Sequence, residues 1–156
     1  MYIKDSILIL HASQTGTSEE LTKDAERQLV DEGYIVRNLD CSGTNPELLR
    51  EHSTCLLITS TWGEGELPKD AEVFYYGLEQ NYNLDLTHLR FAVFGLGDSK
   101  YAQFNECGKN FDKMLKDRGG SRLLPRVDCD ININGPFENW INQIKRTLMS
   151  ATSHIC

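Results

Sequence analysis

Residues 55–68 of the chain read CLLITSTWGEGELP, an apolar run that ends in hydroxyl side chains and opens into a loop with two glycines. The run from Cys55 to Thr59 predicts a buried strand, because continuous apolar segments of this length are typical of parallel sheets. Trp62 follows directly after this strand. Two other predicted strands end in comparable loops, at residues 13–18 and 95–101. Since the carboxyl ends of parallel strands share one edge of a sheet, the three loops predict a ligand site at that edge.

Strands and helices alternate along the chain. The predicted strands span residues 6–11, 35–39, 55–59, 90–94 and 123–127. The predicted helices span residues 19–32, 70–78, 104–118 and 137–148, with a short helix or turn at 46–51. This alternation predicts a doubly wound α/β fold, in which a five-stranded parallel sheet carries helices on both faces. Strand order 2-1-3-4-5 brings the three loops together. We expect a single domain over residues 1–156.

Each predicted helix carries an apolar stripe, which predicts the side chains that face the sheet. Gly33 predicts the end of the first helix, and Gly119-Gly120 predicts the end of the third. The predicted inward residues are Leu21, Ala25, Leu29, Val30, Ala71, Phe74, Leu78, Phe104, Cys107, Phe111, Met114, Leu115, Phe137, Trp140, Ile141, Ile144 and Leu148.

The composition indicates an acidic globular protein. Of its 156 residues, 40% are apolar and 25% are charged, and the formal net charge is −7. The charge argues against nucleic acid and anionic membranes as partners, and favours partner proteins with a basic docking face. No apolar run approaches the roughly 20 residues of a membrane span, and we see no secretory leader. Five widely spaced cysteines without a Cys-x-x-Cys pair favour a reduced, cytoplasmic protein.

The loop at residues 13–18 has the composition of a phosphate site. It joins a strand to a helix start, where unpaired backbone N–H groups and the helix dipole favour an anion. Its hydroxyl side chains add donors, and it contains no Lys or Arg. Walker and Gly-x-Gly-x-x-Gly motifs are absent, which leaves a monophosphate held by neutral donors. A plain helix-capping loop is the alternative, because Ser and Thr are common N-caps.

Trp62 and Tyr101 follow adjacent strands of the predicted sheet. Each ring alone is as compatible with packing on the core edge, but the pair beside a phosphate loop favours a clamp that stacks on a planar ligand. No catalytic residue or metal ligand is predicted, and Cys107 on an inward stripe indicates a packing role. The histidines are scattered without metal-ligand spacing, at His11, His52, His88 and His154. We therefore expect a cofactor to supply the chemistry.

The three loops, SQTGT at 13–17, STWGEG at 60–65 and GLGDSKY at 95–101, resemble the FMN-binding loops of the flavodoxin family. The run RLLPRVDCD at 122–130, with Phe137 and Trp140 after it, resembles the FMN domain of sulfite reductase flavoproteins and related diflavin reductases. The resemblance implies a short-chain, flavodoxin-like fold with FMN as the cofactor.

The resemblance also implies roles for individual residues. It implies that the phosphate is held by Ser13, Gln14, Thr15, Gly16, Thr17 and Ser18. It puts Ser60 and Thr61 near the ribityl chain, and Trp62 and Tyr101 against the flavin ring. It puts Gly97, Asp98 and Asn105 at the pyrimidine edge, largely through backbone. The other implied contacts are Gly63, Glu64, Gly65, Leu96 and Phe104. The peptide after Gly63 is expected to turn over on reduction, which glycine permits at low cost.

The resemblance implies an electron carrier that moves single electrons between a flavin reductase and an acceptor protein. The alternative is the FMN module or subunit of a multi-component NADPH-dependent reductase, such as a sulfite-reductase-type flavoprotein. We expect no enzymatic activity from the chain alone, because no NADPH or FAD module follows the last helix. A signalling receiver is not expected, since the first strand ends in His11-Ala12-Ser13 and not in an acidic cluster.

Acidic residues cluster near the second and last loops. They form either a solvated rim or a surface that lowers the flavin potential and steers a basic partner. The residues concerned are Glu64, Glu66, Asp70, Asp98, Asp128 and Asp130.

Overall fold

The computed structural model describes residues 6–12, 17–60, 71–97 and 105–153. Its strands are β1 (Ser6–Ala12), β2 (Ile35–Asp40), β3 (Thr54–Ser60), β4 (Arg90–Leu96), β5 (Ser121–Arg122) and β6 (Val127–Cys129). Its α-helices are α1 (Thr17–Asp31), α2 (Glu72–Gln80), α3 (Glu106–Asp117) and α4 (Asn134–Ser153), and a 3₁₀ helix spans Pro46–Glu51. Apart from the fifth strand, the predicted elements are present with ends shifted by a few residues.

The strands form one parallel sheet, in the order β2-β1-β3-β4-β5. This confirms the predicted strand order and the doubly wound fold. The side chains of β1 alternate between the two faces, as the strand period requires. Leu8 and Leu10 pack on one face beneath α2 and α3, and Ile7 and Ile9 pack on the other beneath α1 and α4.

The prediction of a continuous fifth strand over residues 123–127 is wrong. β4 instead pairs with two short strands, because Phe91 aligns with Arg122 of β5 and Phe94 aligns with Val127 of β6. The chain advances five residues between those partners while β4 advances three, so two extra residues leave the ladder. Pro125 lies in this interval and has no N–H to donate to a neighbouring strand, which accounts for the break.

The predicted apolar stripes are buried, with one exception among the described residues. Ala25, Leu29, Phe74, Phe111 and the α4 stripe through Trp140 are all at most 2% exposed, and Leu21 and Met114 pack at the edges of the core. Val30 is wrong as an inward residue, because its side chain is 50% exposed. It stands about 100° around the helix from Leu29, which takes the core-facing position.

Two glycines end helices as predicted. Gly33 has φ 96° after α1 and Gly119 has φ 102° after α3, a region that residues with a Cβ rarely adopt. The Gly33 N–H donates to the Val30 carbonyl, and the Gly119 N–H donates to the Lys116 carbonyl. No helix within the described ranges combines the length and apolar character that spanning a membrane requires.

Candidate functional site

Three neighbouring strands end at the same level on the carboxyl edge of the sheet. Ala12 at the end of β1 aligns with Thr59, and Ser60 at the end of β3 aligns with Leu96. α1 begins at Thr17, shortly after the end of β1. The three chain segments that carry the predicted site therefore leave the sheet side by side, where open α/β sheets bind their ligands.

Most of the predicted contacts lie outside the described residues, so their roles stay predictions. Thr17 and Ser18 occupy the first turn of α1, and Ser60 ends β3. Leu96, Gly97 and Asn105 are the predicted contacts whose surroundings are described. Those outside are Ser13, Gln14, Thr15, Gly16, Thr61, Trp62, Gly63, Glu64, Gly65, Asp98, Tyr101 and Phe104.

The start of α1 offers an anion its backbone amides. The first N–H groups of a helix have no acceptor within the helix, and the helix dipole adds positive potential. The same turn carries two exposed carboxylates, on Glu19 and Glu20. Lys23 Nζ lies 3.5 Å from Glu19 Oε1 and offsets part of this charge. A phosphate here would therefore depend on backbone N–H groups and on the predicted hydroxyl donors.

Leu96 and Gly97 lie where β4 ends and the third loop begins. The Leu96 side chain is buried in the layer beneath α1 and α4 and points away from the α2/α3 face. The Gly97 N–H donates to the Cys129 carbonyl at 3.0 Å, which ties the start of the third loop to β6.

Asn105 has an unusual conformation at the start of α3. Its φ of 53° is the one positive φ of a residue other than glycine in the described part of the chain. Its side chain is fully buried and lies over Gly95 of β4 and Gly108 of α3. A Cβ added at Gly108 would stand 2.6 Å from Asn105 Oδ1, and one added at Gly95 would overlap the same amide. Asn105 therefore requires both glycines.

The Asn105 amide joins α3 to β6. Its Nδ2 donates to Asp128 Oδ1, while its Oδ1 has no partner among the described residues. Arg126 donates to both oxygens of the same carboxylate, from Nε at 2.7 Å and from Nη2 at 3.1 Å. Desolvation alone would raise the pKa of Asp128, but the hydrogen bonds from Arg126 and Asn105 outweigh it and leave the pKa below its ordinary value.

A second carboxylate extends this network into α3. Asp112 is buried, and Arg122 donates to it from Nε at 3.1 Å and from Nη2 at 2.8 Å. Arg126 Nη1 lies 3.6 Å from the same carboxylate. The sequence analysis missed this network and placed Asp128 only in an acidic rim. The available signal was the spacing of Arg126 and Asp128, because side chains two apart in an extended segment share a face.

Thr59 and Cys107 form a buried polar contact beside Asn105. Thr59 Oγ1 lies 3.2 Å from Cys107 Sγ, between β3 and α3. Burial raises the pKa of the Cys107 thiol to about 12, and the Thr59 hydrogen bond opposes this increase only in part. Because the thiolate is the reactive form, this cysteine is a packing residue, as its inward position predicts.

The described histidines contact other protein groups. His52 Nδ1 pairs with Ser6 Oγ at 2.8 Å, His88 Nε2 contacts the Leu49 carbonyl at 3.0 Å, and His11 Nδ1 lies 4.0 Å from Asp40 Oδ2. Within the described ranges, no group of three or more His, Cys, Asp and Glu side chains is arranged to hold a metal ion. His154 lies outside those ranges.

The sequence profile of the Flavodoxin family matches residues 9–140. The chain belongs to the flavodoxin family. Solved flavodoxins share its fold over nearly their whole length. A flavodoxin of Streptococcus pneumoniae TIGR4 is 26% identical with a TM-score of 0.82, and the match covers 94% of this chain and 99% of that one. Flavodoxin 2 of Bacillus cereus is 29% identical with a TM-score of 0.78, over 90% of this chain and 98% of that one.

Curated relatives of this flavodoxin-family chain are much longer proteins. The sulfite reductase [NADPH] flavoprotein alpha-component of Bacillus subtilis is 36% identical over 96% of this chain and 25% of its own length. The corresponding protein of Zymomonas mobilis is 37% identical over 91% of this chain and 23% of its own length. The chain therefore spans about a quarter of these relatives.

FMN is the cofactor of this flavodoxin-family domain, and the described residues fit it. The start of α1 suits the phosphate, because its amide groups face the edge where β1, β3 and β4 end. At the end of β4, over Gly95, the buried Asn105 Oδ1 is an acceptor without a partner in the described part of the chain. FMN supplies one-electron chemistry when bound, which is the chemistry of an electron-transfer domain.

Asp128 does not act as a simple charge of the acidic rim. Its carboxylate is engaged by Arg126 and Asn105, and a paired charge projects a weaker field than a free one. Asp130 Oδ1 accepts a hydrogen bond from the Ile131 N–H at 2.8 Å and so helps to shape the turn after β6. The other members of the predicted rim, Glu64, Glu66, Asp70 and Asp98, lie outside the described residues.

Proposed function

We propose that this chain carries single electrons between a flavin reductase and an acceptor protein, without catalysing a reaction by itself. The observation that carries the proposal is that β1, β3 and β4 end at the same level of the sheet, beside the start of α1. This arrangement gathers the loops that resemble FMN-binding loops at one edge of the sheet. Family membership supports electron transfer as the role of the domain.

The protein's contribution is to hold and orient the flavin and to exclude water from it. In this proposal the amides and hydroxyls at residues 13–18 bind the phosphate, and Trp62 and Tyr101 cover the two faces of the ring. The backbone of residues 97–98 and Asn105 approaches the pyrimidine edge. We further propose that the whole chain is one domain.

Charge supports a partner with a basic docking face. The chain carries a net charge of −7, and Glu64, Glu66 and Asp70 follow β3 in sequence, in or just after the second of the proposed FMN-binding loops. Opposite charge on a partner would accelerate encounter, and added salt would screen the effect. We propose the cytoplasm as the compartment, because the four described cysteines form no disulfide.

The second candidate is the FMN module of a multi-component NADPH-dependent reductase. One observation favours it: the chain is 36% identical to the sulfite reductase flavoprotein of B. subtilis, against 26% and 29% for the two solved flavodoxins. In that case the chain would pass electrons to a flavin- or haem-bearing partner subunit.

Reconstitution with flavin tests the cofactor site. We expect the purified protein to release FMN, and not FAD, on chromatography after denaturation. Trp62→Ala and Tyr101→Ala should weaken FMN binding, since each removes a stacking surface worth about 0.5–1.5 kcal/mol beyond its burial. Recovery of FAD, or a colourless protein that ignores added FMN, would overturn the assignment.

Electron delivery separates the two candidates. A carrier should reduce several basic acceptors, such as cytochrome c, when a flavin reductase and NADPH are supplied. A module should support steady NADPH oxidation only with its own partner subunit. The combined variant Glu64→Gln, Glu66→Gln, Asp70→Asn should slow transfer to a basic acceptor and flatten its salt dependence. Unchanged rates at low ionic strength would contradict the docking proposal.

A further inference from the structure

The third loop joins β4 to α3, and the residues on either side of its segment 98–104 are both hydrogen-bonded to the short strand β6. At the start, the Gly97 N–H donates to the Cys129 carbonyl at 3.0 Å. At the end, Asn105 Nδ2 donates to the Asp128 carboxylate. Cys129 and Asp128 are consecutive residues of β6, so one strand defines where residues 98–104 begin and end.

The tie at Asn105 has little freedom to move. Its backbone is in the left-handed region at φ 53°, and its fully buried side chain occupies the space over Gly95 and Gly108. Asp128 also aligns with Gly95 across the sheet, so donor and acceptor meet above a residue without a side chain. A shift of Asn105 would require this packing to open.

Asp128 is itself held in place by an ion-pair chain that returns to α3. Arg126 donates two hydrogen bonds to Asp128 and also lies 3.6 Å from Asp112, which Arg122 holds from the other side. Asn105 and Asp112 are seven residues apart, about two helical turns, and therefore lie on the same face of α3. Arg126 thus links the carboxylate that binds the start of the helix to a carboxylate farther along it.

We propose that Asp128 is a positioning residue that fixes the third loop by orienting Asn105. The inference rests on the proposed function, in which this loop carries Tyr101 against the flavin. Asp128 acts through Asn105 and the loop. Its loss should weaken FMN binding and affect residues 98–104 more than the α4 layer of the core.

The test compares Asp128→Ala with Asp130→Ala, which removes the same charge two residues along. FMN dissociation constants come from flavin fluorescence, and hydrogen exchange of the apoprotein reports on residues 98–104. We expect Asp128→Ala to raise the dissociation constant about tenfold, since FMN binding would then have to order residues 98–104, and immobilising one or two side chains costs that much. Exchange should accelerate in residues 98–104 by a larger factor than in α4. Asp128→Asn keeps one acceptor for Asn105 and should fall between Asp128→Ala and the wild type.

Each outcome decides the proposal. Equal effects of Asp128→Ala and Asp130→Ala would mean that only local charge matters, and the proposal would be wrong. Acceleration by the same factor in residues 98–104 and in α4 would mean that Asp128 supports only global stability and not the loop in particular. If the wild type binds no FMN, the proposed function fails, and exchange in residues 98–104 of the apoprotein still tests the positioning role.

Discussion

The two faces of the sheet are packed in different ways, and the contrast is sharpest at two consecutive residues of β4. Phe94 points beneath α4, where its ring centroid lies 5.3 Å from that of Phe137 and 5.2 Å from that of Trp140. Gly95 points to the α3 side, where the Asn105 amide takes the place of a side chain. One face is held by large apolar contacts, and the other carries directional polar contacts at the edge that bears the candidate site.

This difference suggests a division of roles between the layers. Contacts among apolar rings contribute free energy in proportion to buried area and tolerate small shifts. Hydrogen bonds and ion pairs contribute less net free energy but depend on position and angle. The apolar packing, which fills both layers and includes the α4 rings, should therefore determine stability, and the polar contacts at the carboxyl edge of the α2/α3 face should determine how the loops are placed.

The largest expected effect is from Trp140→Ala. Trp140 is 1% exposed and its Nε1 has no partner among the described residues, so the loss is one of packing. We expect the free energy of unfolding to fall by about 3–5 kcal/mol, measured by denaturant titration of the apoprotein. The FMN affinity of the folded variant should change little.

The other tryptophan provides the matched variant. Trp62→Ala should weaken FMN binding with a much smaller effect on the unfolding of the apoprotein. If Trp140→Ala weakens FMN binding in the folded protein and Trp62→Ala does not, the site has been assigned to the wrong aromatic residue.

Gly95→Ala should have the next largest effect. The added methyl group would overlap the Asn105 amide, so the Asn105 side chain would have to move away from Gly95. Overpacking of this kind costs about 1–3 kcal/mol, and we expect a loss of unfolding free energy in that range. The double variant Gly95→Ala, Asn105→Ala removes the obstacle and should be more stable than the sum of the single effects predicts.

Gly135→Ala is the control for the added methyl group. Apart from its chain neighbours and the backbone of its own helix, no atom lies within 4 Å of a Cβ at this position, so the substitution should cost less than Gly95→Ala. Strict additivity of Gly95→Ala and Asn105→Ala would contradict the contact between the two residues.

Sequence periodicity was sufficient for the sheet and for most of the core. Continuous apolar strands and helical stripes such as that of α4 are local patterns, and they determine which face of each element is buried. The fifth strand could not be predicted as reliably, because residues 121–129 contain only short pairings around Pro125. Val30 was misassigned because an apolar residue next to Leu29 looks the same in sequence whether its side chain is buried or exposed.

The polar part of the site depended on tertiary structure. Asn105, Asp112, Arg122 and Asp128 are spread over residues 105–128, and their contacts depend on how α3 sits against β4 and β6. The sequence predicted Asn105 as a backbone contact, and nothing local indicated that its side chain would lie over Gly95. The three loops differ from this network, because their sequence motifs indicated a ligand but did not define the geometry of its site.

Low pH should weaken the contribution of the polar contacts at the carboxyl edge and leave that of the apolar α4 packing unchanged. Because Arg126 and Asn105 keep the pKa of Asp128 below its ordinary value against desolvation, Asp128 contributes stability above its unfolded pKa that is lost as pH falls through the folded value. We expect the difference in unfolding free energy between wild type and Asp128→Asn to shrink from pH 6 to pH 3. One proton limits this change to about 1.4 kcal/mol per pH unit.

Trp140→Ala is the reference for the acid experiment. It removes no titrating group, so its cost should be the same at pH 6 and at pH 3. A destabilisation by Asp128→Asn that is equally independent of pH would show that the carboxylate gains nothing from its ionised form in the fold.

Thr59→Val should have the smallest effect. Thr59 is fully buried and its Oγ1 lies 3.2 Å from Cys107 Sγ, so valine keeps the shape and removes one hydrogen bond. A neutral hydrogen bond contributes about 1 kcal/mol, and the better strand propensity of valine offsets part of this loss. We therefore expect a decrease in unfolding free energy of about 1 kcal/mol or less in denaturant titrations.

The control for this prediction is Thr147→Val, which removes a hydrogen bond from the Thr147 hydroxyl to the Gln143 carbonyl on α4. It should stay within about 0.5 kcal/mol of wild type. The Thr59 bond also opposes the raised pKa of Cys107, so thiol labelling of the folded variant should become no faster. A cost for Thr59→Val that approached that of Trp140→Ala would show that the polar layer also holds the fold together, and the division of roles between the two faces would be wrong.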